Sequence, residues 1–249
     1  MNGGVLEVDG VGGVAERVLR VTKHIGIVGV SPEGAALFHR QISRHASRLL
    51  PPSAHPRITL HNEPLAQYID ALRRQEWEIV AQLLRRSAEL VVRCGAQLVT
   101  TPDNVVIHAV HMAQVGSPVP WVTMPDLVAK AIMADGKKKV GIVGTKLVTE
   151  SSTYQTPLGL HGIHVFAPEP AEADLIEEII FGELIYGHAR PESRAAMIGV
   201  VNSFAQRGCD GVILASSEVP LVVTPETTPL KLYDPLDILA EGAVRAAMA

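Results

Sequence analysis

The feature that most constrains the fold is an internal repeat at a constant spacing. Residues 23–29 read KHIGIVG and residues 138–144 read KKVGIVG, so the second copy follows the first by 115 residues. The same offset relates three further pairs of similar residues: Cys94 and Cys209, Thr101 and Ser216, and Asp103 and Glu218. Because several matches share one register, we interpret the chain as two homologous units, each of ordinary domain size.

Each unit is predicted to alternate short aliphatic strands with helices, a pattern typical of α/β proteins with parallel sheets. Hydrophobic residues make up 47% of the chain and aromatic residues only 4%, so aliphatic side chains must fill the core. The predicted strands are 24–30, 57–61, 97–100, 119–123, 139–144, 164–166 and 211–214. We predict a helix over 31–50, a mostly helical segment over 65–94, and a helical tail over 236–248 that packs on the first half.

The repeat also suggests where the two domains divide. We expect the first domain to comprise residues 1–118 together with 225–249, and the second to comprise 119–224. Residues 1–22 precede the repeat and are expected to be poorly ordered, as chain termini often are.

Charge and composition argue against several functional classes. The net charge is −4 and the pI about 6.2, with no basic stripe of the kind that binds nucleic acid. No apolar stretch reaches the roughly 18–20 residues that cross a bilayer. Two cysteines make no disulfide framework, and no secretory signal is recognised, so a cytoplasmic location is expected.

Short polar residues follow the repeated strands, where α/β proteins bind their ligands and where helix N-termini attract anions. These residues are Ser31, Thr101, Asp103, Asn104, Thr145, Thr149, Ser216 and Glu218. A single serine or threonine at such a place is often only a helix cap. The paired set at one offset favours a site, and we expect Thr101 and Ser216 to face each other across a cleft that takes a small carboxylate.

Five segments resemble the motifs of aspartate/glutamate racemases. Residues 215–221 (ASSEVPL) resemble the family's G-C-T-E-[IL]-P-L, and residues 101–104 (TPDN) resemble its first-half C-P-D-N. The other three are residues 26–33, residues 144–154 with Thr145, Thr149 and Tyr154, and residues 181–187 with Glu183. The resemblance covers nearly the whole chain from residue 24.

The resemblance implies two pseudo-symmetric α/β domains, usually in a homodimer, that need neither pyridoxal phosphate nor metal. It also implies transfer of a proton at the carbon next to a carboxylate, with two cysteines on opposite sides of the cleft. An acidic amino acid or a related dicarboxylate is the expected ligand. The residues expected to bind it are Ser31, Asn104, Thr145, Thr149, Ser217 and His61.

The sequence departs from this family at both cysteine positions, which hold Thr101 and Ser216. Cys94 and Cys209 lie seven residues earlier and are expected to be buried. Hydroxyl groups carry protons poorly at neutral pH without an adjacent base, so ordinary two-thiol racemisation is disfavoured. Asp103 and Glu218 are therefore candidate catalytic residues beside Thr101 and Ser216, because two carboxyl groups with separated pKa values can act as acid and base.

Two classes of function remain open. The first is an isomerase or lyase with altered chemistry, and the second is a carboxylate-binding protein that has lost catalysis. An engineered replacement of the cysteines is a third reading, against which the other departures from the motifs argue. His108 could also act as a base, although an ordinary helical role is favoured. A zinc site at His61, His108 and His111 is disfavoured because no glutamate completes H-E-x-x-H.

Overall fold

The computed structural model describes residues 22–249 and contains two four-stranded parallel sheets. The strands of the first sheet are β1 (Ile25–Gly29), β2 (Ile58–Asn62), β3 (Leu98–Thr100) and β4 (Trp121–Val122). Those of the second are β5 (Lys139–Gly144), β6 (His164–Phe166), β7 (Gly211–Ala215) and β8 (Lys231–Tyr233). The spatial orders are β2-β1-β3-β4 and β6-β5-β7-β8, so the second sheet repeats the topology of the first. This confirms the predicted fold of two pseudo-symmetric α/β units.

Helices connect the strands, as parallel pairing requires. They are α1 (Pro32–Leu49), α2 (Leu65–Arg73), α3 (Trp77–Arg93), α4 (Ile107–Ala113), α5 (Met124–Ala134), α6 (Lys146–Thr149), α7 (Ser152–Gly159), α8 (Pro170–Gly182), α9 (Pro191–Gln206) and α10 (Pro235–Met248). Short 3₁₀ turns occupy Asn104–Val106, Leu184–Tyr186 and Val219–Leu221. Within residues 22–249, none of the helices is both long and apolar enough to cross a membrane.

Local sequence signals fix the ends of α1. Ser31 caps the helix, since its Oγ accepts a hydrogen bond from the N–H of Gly34 at 3.2 Å, and Pro32 occupies the first turn. Residues 65–94, predicted to be mostly helical, form two helices, α2 and α3, which are separated at residues 74–76. Gln75 adopts a φ of 56°, a left-handed conformation that no continuous α-helix contains.

The strand pairing differs from the sequence-based domain division in two places. Trp121–Val122 pairs with the first sheet, although residue 119 was the expected start of the second domain. Lys231–Tyr233 pairs with β7 in the second sheet, although residues 225–249 were assigned to the first domain. Both are short edge strands with little hydrophobic pattern, so only their hydrogen-bonding partners assign them to a sheet. The domain boundaries remain a prediction, and most of the expectation for residues 1–22 lies outside the described residues.

The tail helix α10 joins the two halves, and its predicted packing on the first half is confirmed. The imidazole Nε2 of His45 on α1 lies 2.8 Å from Asp237 Oδ1, and the N–H of Lys23 donates to the carbonyl of Ala247 at 2.6 Å. One hydrophobic core includes Ile27 of β1, Ile142 of β5 and the tail residue Leu239. The two sheets are therefore held together by a shared apolar interior.

The repeated glycines of β1 and β5 are required by close packing. A Cβ at Gly26 would lie 2.6 Å from Val91 Cγ2, and a Cβ at Gly141 would overlap the ring of Phe204. Helices α3 and α9 can therefore approach the sheets only over these glycines, which explains why the G-I-V-G sequence occurs in both halves.

We expect Gly141→Ala to lower the free energy of unfolding by about 1–3 kcal/mol, because the added methyl must displace the Phe204 ring. Urea denaturation of the variant and the parent chain measures the difference. Gly199→Ala is the matched control, since Gly199 is exposed on α9 and a Cβ there meets nothing within 4 Å. The control should leave stability unchanged or raise it by up to about 1 kcal/mol. Equal destabilisation by both substitutions would contradict the packing argument.

Candidate functional site

The register of the central strands decides which polar residues are equivalent in the two halves. Gly26 of β1 pairs with Val99, whereas Gly141 of β5 pairs with Val212. Counting four residues on from each partner brings Asp103 into correspondence with Ser216. Equivalent residues of β3 and β7 are therefore 113 positions apart, whereas those of the glycine strands β1 and β5 are 115 apart.

A cleft of about 500 Å³ opens at the carboxyl ends of the strands and is lined by both halves. Seven of the ten predicted site residues line it: Ser31, Asp103, Asn104, Thr145, Ser216, Ser217 and Glu218. Such a volume is typical of a site for a small molecule.

The other three predicted residues do not line this cleft. Thr101 and Thr149 are buried, and their hydroxyl oxygens have no hydrogen-bond partner. The imidazole Nδ1 of His61 lies 2.8 Å from Ser87 Oγ, which gives that side chain a role in joining β2 to α3. The expectation that Thr101 and Ser216 face each other is therefore not met, because the register shift brings Asp103 to the cleft in place of Thr101.

A backbone hydrogen bond anchors Asp103 at the first-half side of the cleft. Its Oδ2 accepts a hydrogen bond from the N–H of Ser31 at 2.8 Å, which ties the carboxyl to the start of α1. Burial raises the pKa of Asp103 to about 6, assisted by repulsion from the Glu218 carboxylate and opposed by the Ser31 hydrogen bond. Both protonation states of Asp103 are consequently accessible near neutral pH.

Glu218 and Ser216 form a hydrogen-bonded pair on the opposite side. The Ser216 hydroxyl donates to Glu218 Oε2 at 2.6 Å, and Ser216 itself is 8% exposed at the end of β7. The Ser216 hydroxyl therefore has a carboxylate base beside it. Sequence spacing alone showed the two residues near each other, but not the contact.

Asn104 and Thr145 are two further polar residues that line the cleft. The hydroxyl of buried Tyr154 donates to Asn104 Oδ1 at 2.6 Å, so the amide N–H₂ of Asn104 remains a donor for a ligand. Thr145 lines the cleft with a buried hydroxyl that has no protein partner. A carboxylate ligand would supply the acceptor that both groups lack.

Sequence reasoning missed much of the cleft wall. Missed polar residues are Arg73, Glu177 and Asp234, and missed apolar residues include Ile69, Leu72, Leu147, Ile180, Phe181 and Ile185. Asp234 caps α10 by accepting from Leu236 and Asp237, and burial raises its pKa to about 6. The amphipathic pattern of α2 was visible in the sequence, but its outward-facing residues gave no sign that they border a cleft.

Several conspicuous residues have structural roles instead. Glu183 accepts hydrogen bonds from Ser193 and from the backbone and side chain of Arg190, which lower its pKa to about 2 and fix the turn before α9. His108 is exposed and packs edge-on against Trp77 at 4.9 Å between ring centroids. Cys209 is buried as predicted, whereas Cys94 is exposed because it ends α3 at the protein surface.

The fold and cleft together define a two-unit α/β protein with acidic groups at the ends of equivalent central strands. The model of the Asp/Glu/hydantoin racemase family matches residues 27–243. The chain therefore belongs to the Asp/Glu/hydantoin racemase family.

Solved structures of similar proteins agree with this fold. A protein from Yersinia pestis, described as a candidate Asp/Glu racemase, superposes with a TM-score of 0.87 at 25% identity, over 91% of this chain and 100% of that one. An aspartate racemase homologue from Pyrococcus horikoshii gives 0.83 at 24% identity over 91% and 100%. Glutamate racemase from Francisella tularensis, solved with D-glutamate, gives 0.63 at 14% identity over 90% and 80%.

Proposed function

We propose that this protein is a cofactor-independent isomerase that moves a proton at the carbon next to a carboxylate, with carboxyl groups in place of the usual thiols. The observation that carries the proposal is the convergence of Asp103 and Glu218 on one cleft. The pKa of Asp103 is raised to about 6 by burial and by Glu218, so one group can hold a proton while the other is ionised.

The proposed reaction balances with these two groups alone. Ionised Glu218 removes the proton from the α-carbon, and protonated Asp103 delivers a proton to the opposite face. The enzyme is left with Glu218 protonated and Asp103 ionised, the state that converts the other enantiomer. Ser216 orients Glu218 through its 2.6 Å hydrogen bond or relays the proton to it.

Donors in the cleft would hold the substrate carboxylate and stabilise charge that develops on it. Asn104 and Thr145 have unused donors there, Ser217 lines the same wall, and Ser31 fixes Asp103. Preorganised donors of this kind stabilise the enolate-like transition state of proton abstraction. Thr101, Thr149 and His61 are assigned no direct contact.

A second candidate function is a carboxylate-binding protein without turnover. It is favoured by the buried position of Thr101, the residue expected at the first cysteine position of the family motif, because Thr101 does not line the cleft. The family resemblance also supports a cytoplasmic homodimer that acts in amino-acid metabolism; size-exclusion chromatography with light scattering tests the dimer.

Proton NMR in D₂O tests the isomerase directly. The protein is incubated with both enantiomers of several amino acids and with related carboxylates, and the α-proton signal is followed against a heat-denatured control. Loss of that signal, with the opposite enantiomer detected by chiral chromatography of the same sample, is the expected result. Thermal stabilisation by these ligands without any exchange would reject the isomerase and leave the binding protein.

A further inference from the structure

The cleft carries a large apolar wall that the proton-transfer chemistry does not need. Ile69 and Leu72 on α2 border it from the first half, while Phe181 and Ile185 border it from the second. Ile69, Phe181 and Ile185 are 37%, 52% and 46% exposed, and they share this one cleft. Apolar side chains gathered at a cleft gain free energy when a ligand covers them.

The charges of the cleft disfavour a second carboxylate on the ligand. Four acidic residues line it, namely Asp103, Glu177, Glu218 and Asp234, whereas Arg73 is its one lining cation within residues 22–249. The nearby Lys146 ammonium pairs with Asp174 instead. An acidic amino acid brings two carboxylates, and one of them would face like charge without a cationic partner.

We propose that the cleft selects an α-amino acid with an apolar side chain of leucine or phenylalanine size over aspartate or glutamate. The α-carboxylate takes the donors of Asn104 and Thr145, with Arg73 contributing attraction, and the α-ammonium group is compatible with the surrounding acids. The side chain lies against the apolar wall, and the volume of about 500 Å³ accommodates it. The claim that such an amino acid is the substrate rests on the proposed isomerase, whereas the claim that it binds more tightly does not.

Isothermal calorimetry with L-leucine, L-phenylalanine, L-aspartate and L-glutamate tests this selectivity. The Kd for leucine or phenylalanine should be at least about tenfold lower than for either acidic amino acid, in line with burial of one large apolar side chain. Ile69→Arg should raise the Kd for leucine about tenfold and lower that for glutamate. Ile79→Arg is the matched control, because Ile79 is 43% exposed on α3 outside the cleft, and it should change neither value.

The outcomes separate this inference from the proposed function. Tighter binding of the apolar amino acids without α-proton exchange would uphold the selectivity and reject the isomerase. Tighter binding of aspartate or glutamate would overturn the selectivity, and α-proton exchange of either amino acid would leave the isomerase standing. Failure of all four amino acids to bind would also overturn it. The selectivity would also be overturned if Ile69→Arg dissociated a dimer without changing the order of affinities. The apolar wall would then be a dimer interface.

Discussion

Replacement of Glu218 by glutamine is expected to slow α-proton exchange at least about a hundredfold, the usual range for loss of a positioned general base. Glutamine keeps the size of the side chain and can still accept the Ser216 hydroxyl, but it cannot take a proton from carbon. Ligand affinity should change much less than the rate, because Glu218 acts on the reacting carbon and the donors for the carboxylate lie elsewhere. Deuterium exchange at saturating ligand, with the Kd measured separately, provides both numbers.

Two further variants make the result specific. Glu178→Gln removes an equal charge from an exposed position on α8 and should leave the exchange rate unchanged. Ser216→Ala removes only the hydroxyl; a modest loss identifies Ser216 as a positioning residue, and a loss as deep as that of Glu218→Gln identifies it as the proton carrier. Undiminished exchange in Glu218→Gln would refute the assignment of the base.

Replacement of Asp103 by asparagine is expected to abolish exchange and at the same time to stabilise the folded protein at pH 8. The pKa of Asp103 is about 6 in the fold against an ordinary 3.8, so ionisation in the fold is unfavourable. Asparagine cannot ionise and can still accept the Ser31 N–H. We expect the free energy of unfolding at pH 8 to rise by about 3 kcal/mol, from a shift of roughly two pKa units.

The sign of the pH dependence follows from the same shift. Between about pH 4 and 6 the folded chain binds more protons at Asp103 than the unfolded chain, so stability falls as the pH rises through this window. The advantage of Asp103→Asn should therefore be full above pH 7 and vanish below pH 4. Asp234 has a raised pKa as well, but it is present in both proteins and cancels in the difference.

Denaturant titrations at several pH values measure this difference. Asp70→Asn on α2 is the control, because Asp70 is exposed and outside the cleft, and it should alter neither stability nor exchange. A variant at Asp103 that loses stability at pH 8 would show that the ionised carboxylate supports the fold. Asp103 would then have a structural role, and its assignment as the proton donor would be rejected.

Local sequence patterns predicted much of the fold because their causes are local. The two G-I-V-G strands need glycine wherever a helix packs closely on the sheet, and both glycines could be seen in the sequence. Ser31 and Pro32 start α1 through contacts within four residues. The edge strand at 231–233 was missed because three residues with one buried side chain carry no periodicity that distinguishes them from a loop.

The candidate site was predicted only in part, and the errors share a cause. Residues that follow strands were found because strand ends are readable, and seven of the ten do line the cleft. The apolar wall was missed because α2 and α8 are about one hundred residues apart and meet only in the folded chain.

The sequence by itself determined that this chain has two similar α/β halves, that hydroxyl residues stand at positions 101 and 216, and that acids follow both central strands. The tertiary structure alone decided that Asp103, and not Thr101, is the counterpart of Ser216. The reason is physical: the register of two parallel strands is set by which side chains pack between the sheet and its helices, and these are far apart in sequence. A shift of two residues keeps every side chain on its own face of the sheet, so the alternation of the sequence cannot reveal it.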